Sequence, residues 1–190
     1  GLPSDDSQLA FWTLESLLEH GELDPDDLAA RFAAREIFGL GKSVRQFLDN
    51  RAQGITPWYR CSAESAGNGA LMRIAPVVLL HAQGPSAALW LDTALASIVT
   101  HRDASSVASC VAFTDLLARL LRLEALPTAE WVTSTFLGTV RQVCTEERYH
   151  ARGGRFHDWH GTFPDYLDAV LGVSRGVVRL AGYGFFRCCT

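Results

Sequence analysis

Apolar side chains recur at helical spacing along most of this chain, and polar caps and glycines divide the pattern into segments. Leu9, Trp12 and Leu17, with Phe11, Leu14 and Leu18 beside them, form a broad stripe behind Ser4-Asp5-Asp6. Ser4 can cap that helix, the two carboxylates suit the positive end of its dipole, and Gly21 follows His20 as a stop. Asp24 as cap and Pro25 in the first turn open a second helix, whose stripe is Leu28, Phe32, Ala33 and Ile37 and which runs to Gly39 and Gly41. Ser43-Val44-Arg45-Gln46 has the spacing of a capping box for a short third helix ending near Gly54. Residues 55–66 are irregular, with Pro57, Trp58 and Tyr59 as packing or ligand-wall side chains.

Leu71, Ile74, Ala75, Val78 and Leu79 predict a helix over residues 69–81. Gly84-Pro85-Ser86 starts another, carrying Leu89, Trp90, Leu95 and Ile98 to Thr100. Asp103 and Ser105 restart the chain into a long helix through Val107, Val111, Leu117 and Leu121, and Thr128 caps the next, with Trp131, Phe136, Val140 and Val143. After a loop at Arg152-Gly153-Gly154-Arg155, a last helix carries Tyr166, Leu167, Val170 and Leu171. Strand signals are almost absent, and there is no internal repeat or low-complexity tract. The expectation is an all-α, orthogonal multi-helix bundle, a single domain over residues 1–190.

Composition narrows the function classes. The 190 residues are 48% apolar and 20% charged, ordinary for a globular protein, and the net charge is −4. Lysines and arginines are scattered, so no basic face argues for nucleic acid. No apolar run reaches the ~18–20 residues of a membrane span. Five cysteines make an odd set with no CxxC pair and no zinc-like spacing. Cys110 and Cys144 fall in helical patterns as small core residues, and reduced thiols point to a cytoplasmic protein.

The stretch with the most chemistry in it is 62–76, where small polar residues and glycines run straight into an apolar segment. Gly67 and Gly69 flank Asn68, so the backbone there can take φ > 0 and approach a ligand closely. A Gly/Ser loop opening onto a helix start offers free N–H groups to an anion such as a phosphate; the same punctuation also serves as a tight turn capping a core helix. Asp5 and Asp6 read equally as first-turn dipole residues or as hard oxygen ligands, projecting about 100° apart, for Mg²⁺ or Mn²⁺. His101 between two helices is either a packing histidine or a ligand contact. His150, His157 and His160 sit in a Gly-flanked, non-helical stretch and read as solvated or aromatic-packed rather than as a metal cluster. Asp165 and Asp168 read as a cap and a solvated turn.

Ser65-Ala66-Gly67-Asn68-Gly69-Ala70-Leu71-Met72-Arg73-Ile74-Ala75-Pro76 resembles the signature loop of the ADP-ribosylglycohydrolase family, of the dinitrogenase-reductase-activating type. Ser4-Asp5-Asp6-Ser7-Gln8 resembles that family's first metal motif, usually Thr-Asp-Asp-Thr-Gln, and Thr100-His101-Arg102-Asp103 its Thr-His turn. The likeness runs from about Pro3 to about Tyr183. It implies a metal-dependent hydrolase that removes ADP-ribose from modified proteins by cleaving the glycosidic bond at the distal ribose. Ser4, Asp5 and Asp6 would be metal ligands, with Asp5 and Asp6 catalytic, in a binuclear Mg²⁺ or Mn²⁺ site. Ser65, Gly67, Asn68 and Gly69 would form the phosphate and ribose wall, and His101 would line the same cleft. Met72 and Arg73 would anchor the loop, with Arg73 pairing either with a phosphate or with a core carboxylate. The partner is ADP-ribose or an ADP-ribosylated protein, and the expected state is a monomer.

Two departures from the family pattern qualify that expectation. The family's opening Gly-Asp-Ala-x-Gly helix has no counterpart before Gly1-Leu2-Pro3. Its second metal motif, Gly-Asp-Thr-Asp-Thr-like, would lie beyond a helix following Gly182-Tyr183, where this sequence reads Gly184 to Thr190. Ser4, Asp5 and Asp6 do not supply two octahedral sites alone. The alternative expectation is therefore a degenerate, non-catalytic ADP-ribose-binding module.

Overall fold

The computed structural model describes residues 3–145, 149 and 159–178. These form seven α-helices: α1 Asp5–His20, α2 Pro25–Ala34, α3 Lys42–Ala52, α4 Ala87–Ile98, α5 Ala104–Leu120, α6 Ala129–Val143 and α7 Phe163–Val178. Three 3-10 turns, Trp58–Arg60, Leu71–Arg73 and Ala75–His81, fill the long connection between α3 and α4. Among the described residues there is no strand, only an isolated bridge between Ala63 and His101. The protein is an all-α bundle, as the periodicity predicts, and no described helix is long and apolar enough to cross a membrane.

Most helix starts lie where the capping residues place them. The Ser4 hydroxyl accepts from the Ser7 amide, the Asp24 carboxylate from Asp26 and Asp27, Ser86 from Leu89, Asp103 from Ser105 and Ser106, and Thr128 from Trp131. Gly21 ends α1 in the left-handed region at φ 72°, its amide bonded to Leu17. Two predicted boundaries are corrected. The second helix stops at Ala34, because Arg35 turns extended; Ile37 is buried from the following loop, and Ala33 is exposed. The third helix begins one residue before Ser43, with Gly41 at its cap and no side-chain cap bond, so the capping box does not form.

α5 is the central element. It packs most extensively on α4 at one side and α6 at the other. The larger core lies on the α4 side. It joins Leu9 and Trp12 of α1, Leu28 and Phe32 of α2, Val44 and Phe47 of α3, Ile74, Val77 and Val78 of the 3-10 connection, Leu89 and Val99. The smaller core joins Ala108 and Ala112 of α5 to Val140, Cys144 and Phe163, with Tyr149 and Tyr166 against it. Cys110 and Cys144 are buried, as expected of small core residues. Within the α1 stripe, Leu9, Trp12 and Leu17 are buried, whereas Phe11 and Leu18 remain 66% and 75% exposed.

A buried polar hub fixes the α4–α5–α6 layer. Asp115 is fully buried; its carboxylate accepts from Trp90 Nε1 at 2.9 Å, Arg119 Nε at 2.7 Å and Thr139 Oγ1 at 3.1 Å. A buried carboxylate is tolerated when its lone pairs are engaged in this way. The Arg152–Arg155 loop, His150, His157, Cys188 and Cys189 lie outside the described residues.

Phe32, fully buried between α1 and the 3-10 connection, is the side chain on which the larger core is most exposed to damage. Phe32→Ala is expected to cost about 3–5 kcal/mol of unfolding free energy. Urea denaturation checks it: the midpoint falls while the slope stays unchanged.

Candidate functional site

The acidic helix start and the glycine turn are neighbours, joined along two routes. Ser4 is exposed at the cap of α1, and Asp5 and Asp6 occupy its first turn, half-buried. Asp5 leans toward the loop before α3: its Oδ2 accepts from the Gly41 amide at 3.3 Å and its Oδ1 from the Asp6 amide at 3.1 Å. Two residues into α3, Ser43 Oγ donates to Ser65 Oγ at 2.8 Å, and Ser65 Oγ in turn accepts from the Gly67 amide at 3.2 Å. Asp6 projects the other way. With Ser7, Ala10, Phe11, Leu14, Met72 and Pro76 it lines an open groove of about 340 Å³. Met72 closes the second route, because its amide bonds the Asn68 carbonyl at 3.2 Å.

The turn is built differently from the sequence expectation. No α-helix covers 69–81; Leu71–Arg73 and Ala75–His81 are short 3-10 turns. Pro76, in the first turn of the second, brings no amide hydrogen to the ladder. The residues that follow the turn therefore bring no long helix dipole of their own to it. Nor do Gly67 and Gly69 adopt positive φ. Their role is space. A Cβ on Gly69 would sit 3.0 Å from His101 Cε1 and 3.2 Å from its Nε2, and one on Gly67 would meet Ser65 Oγ at 3.1 Å and His101 Nε2 at 3.6 Å. The glycines are where the His101 ring lies. Ser106 Oγ, from the first turn of α5, donates to the Gly67 carbonyl at 3.1 Å, and Asn68 stands exposed at the tip.

His101 itself is 2% exposed. The backbone of its two chain neighbours holds the loop 62–64 alongside, with Ala63 N donating to Thr100 O and Arg102 N to Ala63 O, both at 3.0 Å. Burial, and then the Arg73 cation next to it, push its pKa from 6.5 down to about 4, against an opposing pull from Asp103. The ring is neutral at physiological pH.

Arg73 does not face the cleft. It is fully buried, with Nη2 donating to Ala96 O at 2.9 Å and to Thr100 Oγ1 at 2.8 Å, and with its guanidinium carbon 4.9 Å from the Phe32 ring centre. It meets neither a phosphate nor a carboxylate; its partners are the carbonyl end of α4 and a hydroxyl. Of the residues named from sequence, Ser4, Asp5, Asp6, Ser65, Gly67, Asn68, Gly69, Met72 and His101 lie along one connected surface, and Arg73 lies beneath it. Two residues of this site were missed from sequence: Ser43 reads as a cap, and Ser106 carries no motif; Thr100 enters only as the first residue of the Thr-His motif.

Ser4, Asp5 and Asp6 are hard oxygen donors of the type Mg²⁺ takes with several retained waters, although the two carboxylates point apart. Burial, and then the adjacent Asp5 charge, raise the Asp6 carboxyl above its ordinary range. They do not fill two octahedral sites, and among the described residues no group of three or more His, Cys, Asp and Glu side chains could hold a metal ion.

The bundle thus sets an acidic helix start near a glycine turn backed by a buried, neutral histidine. The family model for ADP-ribosylglycohydrolase matches residues 1–185, and the chain belongs to that family of glycosyl hydrolases, which act on ADP-ribosylated substrates. Comparison with curated proteins and with solved structures gave no match.

Two predictions follow from this geometry. Gly69→Ala must displace a buried imidazole and is expected to cost about 1–3 kcal/mol, whereas Gly67→Ala meets mainly a rotatable hydroxyl and costs less; paired thermal melts check the order. His101 is protonated more readily in the unfolded chain, so its contribution to stability is complete above pH 6.5 and is lost as pH falls through about 4. The loss amounts to about 3 kcal/mol at most. Denaturation of the wild type and His101→Gln over that range checks the sign, because only the wild type carries this component.

Proposed function

We propose that this chain is a divalent-cation-dependent ADP-ribosylglycohydrolase, cleaving the glycosidic bond at C1″ of the distal ribose in ADP-ribosylated proteins. The observation that supports it best is the shared groove of Asp6 and Met72, which puts the acidic helix start next to the turn that carries Asn68. Ser4, Asp5 and Asp6 hold the cation, Mg²⁺ or Mn²⁺, which when bound supplies Lewis-acid chemistry at the ribose.

The remaining work falls to the protein. Gly67 and Gly69 let the turn lie directly against the His101 ring, with no Cβ to keep it away, and the turn presents its outer face to the pyrophosphate. Ser43 of α3, through Ser65, and Ser106 of α5 brace that turn, so its amides are already in place when ligand arrives. Met72 and the exposed ring of Phe11 give the groove an apolar side against which the sugar-nucleotide or its protein carrier can rest.

Release of free ADP-ribose from an arginine- or serine-modified protein tests this reading. Release is expected with Mg²⁺ or Mn²⁺, is expected to stop on addition of EDTA, and should return when metal is restored. Asp6→Asn should weaken Mn²⁺ binding by at least the ~10–100-fold that even outer-shell partners cost. Binding of ADP-ribose without metal-dependent release would instead favour the non-catalytic module.

A further inference from the structure

The buried cation beneath the turn has a consequence for the histidine above it. A guanidinium has donors only. Arg73 Nη2 lies 2.8 Å from Thr100 Oγ1, so in that contact the hydroxyl accepts. The hydroxyl keeps one proton of its own. Among the described residues the acceptor within its reach is His101 Nδ1, at 2.9 Å. Nδ1 therefore carries a lone pair, and in the neutral ring the proton sits on Nε2.

Nε2 is the ring nitrogen facing the glycine turn, 3.2 Å from the place a Gly69 Cβ would take and 3.6 Å from that of Gly67, with Cε1 beside it at 3.0 Å from the Gly69 position. No described residue accepts a hydrogen bond from it.

We infer that Arg73, acting through Thr100, is a positioning residue that locks His101 in its Nε2–H form and aims that N–H at the space in front of Gly67 and Gly69. The lock decides what His101 can do. A ring held this way donates to an oxygen of a bound ligand and does not accept a proton from one. His101 is then a hydrogen-bond donor to an anionic or hydroxyl oxygen, and the general-base role that a cleft histidine would otherwise invite is closed to it. A hydrophobic residue of similar size in place of Arg73 could hold the core, but it would leave the Thr100 hydroxyl free to reverse and the tautomer unset. The tautomer stands independently of the reaction proposed above; the identity of the acceptor, an ADP-ribose oxygen, rests on that reading.

Long-range proton–nitrogen NMR of the ligand-free protein, with ¹⁵N in its imidazoles, tests the lock. The His101 signals are assigned by their disappearance in His101→Gln. At neutral pH the expected pattern is an unprotonated, pyridine-type Nδ1 and a protonated, pyrrole-type Nε2. Thr100→Ser should keep it, and Thr100→Val should lose it by admitting the Nδ1–H form. An Nδ1–H ring in the wild type, or an unchanged ring in folded Thr100→Val, would overturn the inference. If Thr100→Val does not fold, the wild-type and Thr100→Ser spectra decide between the same two tautomers. Titration with ADP-ribose then separates the two layers: a shifted Nε2–H signal supports the acceptor assignment, and a locked but unmoved one rejects that assignment while leaving the lock in place.

Discussion

A charged group in the middle of a core is the constraint to which the rest of this molecule accommodates. The Arg73 guanidinium is fully buried and faces no carboxylate. Removing such a group from water is costly, and its attraction to neighbours has to make up the difference. Here the compensation comes from the carbonyl end of α4, where helix dipole and unsatisfied oxygens favour a cation, from the Thr100 hydroxyl, and from the face of Phe32. Burial brings its pKa down to about 10, which still leaves it charged at neutral pH. Nε and Nη1 find no partner among the described residues. The 3-10 turn that carries Arg73, the end of α4 and the α2 ring are thereby held in one arrangement.

Asp115 shows the contrasting solution on the far side of α4. Its carboxylate is as deeply buried, but three donors from α4, α5 and α6 surround it. That hub has no opening toward the turn and serves the layer in which it sits. Arg73 is less completely satisfied and lies directly under the glycine turn. Incompletely paired buried polar groups are most readily tolerated where they position a site, and the path from Arg73 through Thr100 to His101 has that character.

On the proposed reading, the surface above would combine two kinds of recognition. Asp5 and Asp6 diverge, one braced by the Gly41 amide and one open to the groove. A few residues away the turn offers backbone amides and a neutral imidazole donor rather than fixed positive charge. Membership of the ADP-ribosylglycohydrolase family fits this division, since a nucleotide-diphosphate sugar presents hydroxyls at one end and phosphate oxygens along its middle. Ser43 and Ser65 tie the two halves together, so displacement at one is felt at the other.

Local chemistry made much of the fold legible in the sequence. Capping by Ser4, Asp24, Ser86, Asp103 and Thr128 and the stop at Gly21 depend on bonds spanning two to four residues, and these lie where the residue types place them. The apolar period correctly implied an all-α bundle, and the motifs around Asp5, Gly67 and His101 carried the family. Tertiary structure decided what depended on partners distant in the chain. Ser43 gave up its capping bond for a hydroxyl 22 residues away. Apolar spacing over 69–81 could not tell an α-helix from consecutive 3-10 turns, because both bury Ile74, Val77 and Val78. The glycines are required by a ring more than 30 residues on, rather than by their own dihedral angles. Arg73 was expected to anchor the loop on a phosphate or a core carboxylate, and only the packing of α2, α4 and the 3-10 turn around it gave it a helix end and a hydroxyl instead.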